Sequence, residues 1–344
     1  MKFRWGSQNP TDMFLEGKKS GIKFALGENV KQSRGQWPTS RYPRSRMGVE
    51  AIIRDRFIAA QEYAADPNAR RDLELEALAE ILAGERLVHC HSYRQDEILM
   101  LCRVAEDFGF KIGSFQHGLE VYKVAEAVKE HALGASIFSD WWVFKIEVGD
   151  AIPFAGPLQT EAGVLTSFNS DSDNLARRMN IEAAKAVKYS RKDANGDPII
   201  TPAEALKFVT INPAIQLGID NRVGSLEQGK DADFVVWSGD PLSTLSVPEH
   251  VFIDGREYFS LEQDRAHRER NTAERKRIIQ KILANPKKKE AEKDDGEEGD
   301  ASDAPSARES ILARYYLRRL DNDGLHPGDM KPGECGCMVL DHDL

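Results

Sequence analysis

The sequence predicts an α/β protein built on a parallel sheet, and two features predict it. From residue 21 to about residue 240, short apolar runs alternate with longer amphipathic stretches. Such strand–helix–strand alternation makes consecutive strands parallel, in either a closed barrel or a doubly wound sheet. The second feature is the placement of histidines and acids at the carboxyl ends of the apolar runs. In a barrel those ends converge on one mouth.

The strand candidates are Gly21 to Leu26, Arg86 to His91, Phe110 to Phe115, Gly134 to Phe138 and Gly163 to Asn169. Between and after them, Val49 to Tyr63, Arg71 to Leu82, Asp96 to Phe108, Val121 to His131 and Asn174 to Tyr189 have helical periodicity. The stretch from Asp96 sets Ile98, Leu99, Leu101, Cys102 and Ala105 on about one face. Thr201 to Val209 is a helix opened by a Thr201–Glu204 capping box, with Pro202 in its first turn. Asp233 to Trp237 and His250 to Ile253 are short strands, and Asp254-Gly255 is a hairpin turn. Leu261 to Leu283 is a highly charged helix. Lys287 to Asp303 is mostly charge with Gly, Ala and Ser and is expected to be disordered. Glu309 to Leu320 has the pattern of a short helix, and the Gly-rich end around Cys335-Gly-Cys337 is expected to be loose.

Composition excludes several classes. The 344 residues carry 47 basic and 56 acidic side chains, a formal net charge of −9. That balance argues against a nucleic-acid platform, which needs a basic face. No apolar run approaches the roughly 18 residues of a membrane span. No apolar segment follows Met1 to suggest a signal peptide. The expected compartment is cytoplasmic by default, with a periplasmic or secreted setting open if an amino-terminal segment is missing. Four cysteines are too few for a disulfide scaffold of this size.

His89 and His91 end one strand, and alternation sends both side chains to the same face. His117 ends the next strand, and Asp171 follows a later one. Histidines from adjacent strands plus a strand-end carboxylate form a nitrogen-and-oxygen site suited to zinc or a similar divalent ion. The competing account of each residue alone is a hydrogen-bonding histidine at a strand end.

Five segments in order resemble the amidohydrolase superfamily, in particular its imidazolonepropionase-like branch of metal-dependent hydrolases. They are Val88-His-Cys-His-Ser92, Phe115-Gln-His-Gly118, Asn169-Ser-Asp-Ser-Asp173, Thr210-Ile-Asn-Pro-Ala214 and the long stretch from Val223 to Trp237. The resemblance covers roughly residues 1 to 258. It implies a (β/α)8 barrel with a small β-sandwich, and one or two divalent metal ions, zinc foremost, held at the strand ends. It assigns His89 to the fifth-strand ligand, His117 to the sixth-strand ligand, and Asp171 to the eighth-strand aspartate that shuttles a proton. Some branches add a carboxylate or a carbamylated lysine from a middle strand. Glu28 and Lys23 are the two candidates, and Glu28 is preferred because it stands on the turn after a strand. His91 is expected to contact substrate or orient His89. Tyr93 and Tyr122 are expected to line the mouth, as is the aromatic run after Ser139. Arg41, Arg44 and Arg46 could hold a substrate carboxylate, or simply form a charged loop.

The family pattern opens with a His-x-His pair, and no histidine precedes His89. The likeness is therefore to the carboxyl-terminal two-thirds of an amidohydrolase. The expected architecture is an α/β TIM-type barrel lacking its first strands, part of an accessory β-sandwich, and a disordered acidic tail. Its expected parts are a partial barrel over 1–215, a β-sandwich segment over 216–258, a charged helix over 259–284 and a low-complexity tail over 285–344. The expected function is metal-dependent hydrolysis of a carbon–nitrogen bond in a small amide or peptide-like substrate. The alternative is a catalytically incomplete chain acting as a subunit or scaffold. A separate amino-terminal piece or a second copy of the chain is the expected protein partner, with neither nucleic acid nor membrane.

Overall fold

The computed structural model describes residues 9–13, 21–28, 30–31, 42–143 and 145–284. Five parallel strands run in chain order: β1 (Ile22–Ala25), β2 (Val88–His91), β3 (Ile112–Gln116), β4 (Ala135–Ile137) and β5 (Thr166–Phe168). Helices fill each crossover. They are α1 (Arg46–Ala65) and α2 (Leu73–Leu82), then α3 (Gln95–Phe108), α4 (Ala125–His131) and α5 (Ala155–Glu161). After β5 come α6 (Asp173–Ala176), α7 (Met179–Tyr189), α8 (Pro202–Lys207) and α9 (Ile211–Gln216). Strands β6 (Phe234–Trp237), β7 (Pro248–Ile253) and β8 (Arg256–Ser260) form a second sheet, followed by α10 (Leu261–Ala284). By contacts the chain divides into two units, the first running through Tyr258 and the second beginning at Phe259.

In the five-stranded sheet the spatial order equals the chain order. A doubly wound sheet reverses order at a switch point. The described strands have no such reversal, so the winding is consistent with the wall of a TIM-like barrel. Among the described residues, no helix is long and apolar enough to cross a membrane.

The local signals explain most element ends. Ser45 caps α1, its hydroxyl accepting from the Gly48 N–H at 3.1 Å, so the helix starts before the apolar periodicity does. The Asp72 carboxylate caps α2 through the N–H groups of Glu74 and Leu75. The Thr201–Glu204 capping box forms as expected. Asp254 and Gly255 both have positive φ, 52° and 73°, the combination a two-residue hairpin needs. That turn joins β7 to β8, a strand the charged sequence Arg256-Glu257 had concealed.

Two expected helices are interrupted. The stretch from Val121 to His131 divides into a 3-10 turn over Val121–Lys123 and α4. Tyr122 and Lys123 are drawn aside there, because both bond Asp150. The stretch from Asn174 to Tyr189 breaks at Arg178, whose φ of −136° is not helical, into α6 and α7. Helices α5 and α9 lacked a sequence signal, being two turns or less, with Pro157 and Pro213 in their first turns.

Between the sheet and helices α1 to α4 lies one core. It includes Phe57, Ile81, Val88, Cys90, Ile98, Leu101, Ile112 and Phe115. Val88 and Cys90 face this core, so His89 and His91 face the opposite, inner side. Strand β3 carries an irregularity that matters for the site. Val88 pairs with Ile112 but His89 pairs with Ser114, so Gly113 is an extra residue on β3. Such a bulge shifts the alternation by one. Ile112 and Phe115 can then both reach the core, while Ser114 is left beside His89. A Cβ at Gly113 would lie 2.9 Å from the Leu87 Cβ and 3.0 Å from the His89 ring, so the close approach requires glycine.

Phe57 is fully buried among Phe24, Phe108 and Phe110, with ring centroids 4.8–6.0 Å apart. Phe57→Ala should lower unfolding free energy by about 3–5 kcal/mol in urea titrations. Leu73→Ala, at an exposed position on α2, should change it by no more than about 0.5 kcal/mol.

Candidate active site

His91 closes β2 and His117 follows β3; they are 1% and 6% exposed. Their ring centroids are 5.3 Å apart. Tyr93 sets its ring edge-on to His91 at 4.8 Å. Phe138, just past β4, stacks on His117 at 4.9 Å, and Trp141 stacks on Phe138 at 3.9 Å. The imidazoles thus meet against an aromatic wall that desolvates them.

Desolvation sets their protonation. Burial pushes His91 down to about 4, aided by the positive charges of Lys23 and Lys145. Burial, then the His91 ring, then the same two lysines push His117 down to about 3. Both rings are neutral at neutral pH, the form that ligates a metal ion.

His117 also has a partner that can fix its tautomer. The side-chain amide of Asn169, just past β5, lies 2.9 Å from His117 Nδ1 through its nitrogen, while its buried oxygen has no hydrogen-bond partner. Rotating the amide by half a turn lets that oxygen accept from Nδ1–H. Such an Asn169–His117 bond fixes the tautomer of the ring, as in metal sites whose histidines donate their second nitrogen to an oxygen. The role of Asn169 was not anticipated. Its signal was its position two residues before Asp171.

The structure places the other expected residues as follows. His89 lies deeper, level with Lys23 and Ser114. Its Nδ1 is 2.7 Å from Ser114 Oγ, and its ring is so close to Gly21 that a Cβ there would lie 2.5 Å from it. Alternation correctly put both histidines on one face, but two residues along a strand are about 6.6 Å. Of the two, His91 is the one beside His117. His91 thus stands beside His117 at the strand ends, and His89 stands one step deeper beside Ser114. Asp171 stands three residues past β5 with φ 45°, and His117 has φ 57°. Such left-handed conformations are uncommon outside glycine and cluster at functional sites. Tyr93 is in place. Tyr122 instead donates its hydroxyl to the Asp150 carbonyl at 3.1 Å, and so fastens a loop.

Glu28 is on the turn after β1, as expected, but it faces Lys145, whose Nζ is 3.8 Å from Glu28 Oε1. Lys145 itself is 2.8 Å from Glu147 Oε1 and 4.6 Å from the Tyr93 ring centroid. Arg46 joins Glu97 at 3.1 Å to Glu147 at 3.2 Å. The same two carboxylates accept from the backbone N–H groups of Gly27 and Glu28 at 2.8 and 2.9 Å. Arg46 is thus committed to holding the β1 turn, which removes it as a substrate-carboxylate clamp. Arg41, the tail cysteines and the segment Glu309 to Leu320 lie outside the described residues.

The donor set fits a divalent ion in part. His91 and His117 are buried, neutral and adjacent, and Asn169 can orient one of them. Among the described residues, no group of three His, Cys, Asp or Glu is close enough to hold an ion. Lys23 lies outside that donor class unless carbamylated, yet its charge acts on both histidines.

The scaffold is of the class of parallel, singly wound α/β folds, with two neutral histidines at adjacent strand ends. Comparison with known proteins narrows the class. The amidohydrolase family model matches residues 150–258. Amidohydrolase tasK of Hapsidospora irregularis is 30% identical over 260 residues, 69% of this chain and 25% of that protein. Urease subunit alpha of Yersinia enterocolitica is 32% identical over 124 residues, 27% of this chain and 22% of that subunit. A solved amidohydrolase from Thermotoga maritima MSB8 superposes with a TM-score of 0.62 at 32% identity, over 70% of this chain and 63% of its own. The chain belongs to the amidohydrolase superfamily. It spans about a quarter of the length of the Hapsidospora protein it matches.

The depressed histidines make stability depend on pH. Below about 6.5 the unfolded chain protonates both imidazoles, whereas the folded chain keeps them neutral until about 4 and 3. The unfolded state then binds more protons, so stability should fall as pH drops from about 6.5 toward 4. Urea midpoints of chelator-treated protein check this, and replacing both residues by Asn should remove most of the slope.

Proposed function

We propose that the chain is part of a metal-dependent hydrolase that cleaves a carbon–nitrogen bond in a small amide or peptide-like substrate. The observation that carries this is the pair of buried, neutral imidazoles, His91 and His117, side by side at the ends of adjacent parallel strands. The superfamily to which the chain belongs supports the reaction class. Nitrogen donors favour zinc over a hard oxygen-loving ion. The imidazolonepropionase-like likeness makes cyclic amides the first substrates to screen.

His91 and His117 would hold the ion, with Asn169 fixing the tautomer of His117. Lys23, rather than Glu28, is the middle-strand partner in this reading, because its charge acts on both histidines while Glu28 is paired with Lys145. A bound zinc supplies an acidified water and a polarised carbonyl. Asp171 takes the proton and returns it to the leaving nitrogen. Tyr93, Phe138 and Trp141 exclude water from one side. Glu147 and Arg46 hold Lys145 and the β1 turn in place.

Metal content by mass spectrometry, with hydrolysis of an amide and dipeptide panel, tests the reading. His91→Ala and His117→Ala should each reduce bound zinc to background. His89→Ala should retain it, because His89 bonds Ser114 instead. Asp171→Asn should retain metal and lose about 10²–10⁴-fold in turnover. Zinc lost with His89 but kept without His91 would sink the assignment.

A further inference from the structure

Helix α7 turns an alanine face to the core, with Ala183 and Ala186 at 0% and 1% exposure. Beside them it buries a carboxylate, Glu182, which is 3% exposed. A buried ion is unfavourable unless other groups compensate it. Here the loop after β4 and α7 itself do so. The Ser139 hydroxyl, 4% exposed, donates to Glu182 Oε2. Lys185, one turn along α7, donates to the same oxygen at 2.8 Å. Its Nζ also donates to Asp140 Oδ1 at 2.8 Å, and that oxygen lies 3.3 Å from Ser139 Oγ. Ser139, Glu182, Lys185 and Asp140 thus form a closed ring of polar contacts. Burial weakens the hold of Lys185 on its proton, but the bonds to Asp140 and Glu182 outweigh it and raise the pKa, so the group stays an ammonium.

The ring grips one particular stretch of chain. Ser139 and Asp140 stand between Phe138, which stacks on His117, and Trp141, which stacks on Phe138. For Phe138 and Trp141 to stack at 3.9 Å the chain has to turn between them, and the two residues of that turn are the ones α7 holds. We propose that Lys185 and Glu182 are positioning residues, which keep the Phe138–Trp141 wall closed against His117. The proposal rests on the reading of His117 as part of the reaction centre. Both residues act through the wall and not on the substrate.

Charge balance makes Lys185 the keystone. The ring holds two carboxylates and one ammonium. Without the ammonium, Glu182 and Asp140 share a single hydroxyl proton, that of Ser139, and repel each other. The Asp140 side chain is 27% exposed and that of Glu182 only 4%, so Asp140 is the one that can leave for water. Trp141 is bonded directly to Asp140 in the chain and moves with it. A surface ion pair of no consequence would account for Asp140 and Lys185 alone. It does not account for Ser139 and Glu182, which are sealed beneath them.

Fluorine NMR of the full chain labelled with 5-fluorotryptophan tests the proposal. Trp141→Phe assigns the Trp141 resonance, and Phe138→Ala gives its position once the stack is lost. Trp142, 62% exposed, is the solvent-exposed reference in the same loop, and Trp237 on β6 reports that the variants are folded. In Lys185→Met the Trp141 resonance should move to the unstacked position and gain a D2O-induced shift close to that of Trp142. Lys185→Arg should leave it at the native position. Adding Asp140→Asn to Lys185→Met should bring it back, because the uncompensated charge is gone. With an amide that the native chain hydrolyses, Lys185→Met should lower kcat about 10–100-fold and leave KM within about twofold. An unmoved Trp141 resonance in Lys185→Met would overturn the proposal. So would a displaced resonance that Asp140→Asn does not bring back, which marks lost packing and not lost charge balance. A native chain that hydrolyses no amide counts against the reaction reading alone, and the fluorine spectra then decide this one.

Discussion

The site depends on the extra residue in β3. Before Gly113, Ile112 faces the helices; after it, Phe115 does so too, and both are fully buried in one core. Strict alternation would turn one of them to the polar inner side and carry Ser114 and Gln116 into the core. The bulge removes that conflict. Ser114 is left free to bond His89, and Gln116 pairs in register with His91. His117 then leaves the strand in a left-handed turn that brings it to His91. A backbone irregularity at a glycine thus fixes which histidines share the mouth.

Once placed, the imidazoles are governed by desolvation. Buried amine or imidazole groups lose their charged form first. The aromatic wall of Tyr93, Phe138 and Trp141 supplies the burial. Around this dry centre the charges are organised at a second radius. Glu97 and Glu147 are both nearly inaccessible, and each is matched by Arg46, by Lys145, or by a backbone N–H of the β1 turn. Buried carboxylates are tolerated only when so compensated. Their combined effect is to tie α1, α3 and the loop after β4 to one turn, which bears Glu28.

Much of this was legible in the sequence. The five parallel strands, the long helices and the capping box were readable because each rests on a periodicity or a local side-chain rule. The placement of His117 and Tyr93 just past strand ends was also readable. Which of His89 and His91 stands beside His117 was not, because alternation gives the face of a residue but not its depth, and depth followed from the bulge. Asn169, Lys145 and the Arg46 network were hidden for a different reason. Their partners are distant in sequence, from 51 residues for Arg46–Glu97 and 52 for both Lys145–Tyr93 and Asn169–His117 up to 119 for the Glu28–Glu147 bond. No local pattern encodes such pairings.

Charge balance decides between the two middle-strand candidates under the proposed reading. Two lysines, Lys23 and Lys145, act on the histidine pair, and both depress its protonation. Two ammonium groups beside a dication would repel it. Lys145 is already answered by Glu147 and Glu28. Lys23 lies at the register of His89, on the exposed part of β1, where carbon dioxide can reach its amine. Forming a carbamate there would join carbon dioxide to the nitrogen and release two protons from the ammonium to solvent, changing the local charge from +1 to −1 and offering a carboxylate oxygen as a ligand. Glu28 carries the right charge but spends it on Lys145. The same electrostatics that neutralises the imidazoles therefore favours a lysine, chemically converted, over a carboxylate already engaged.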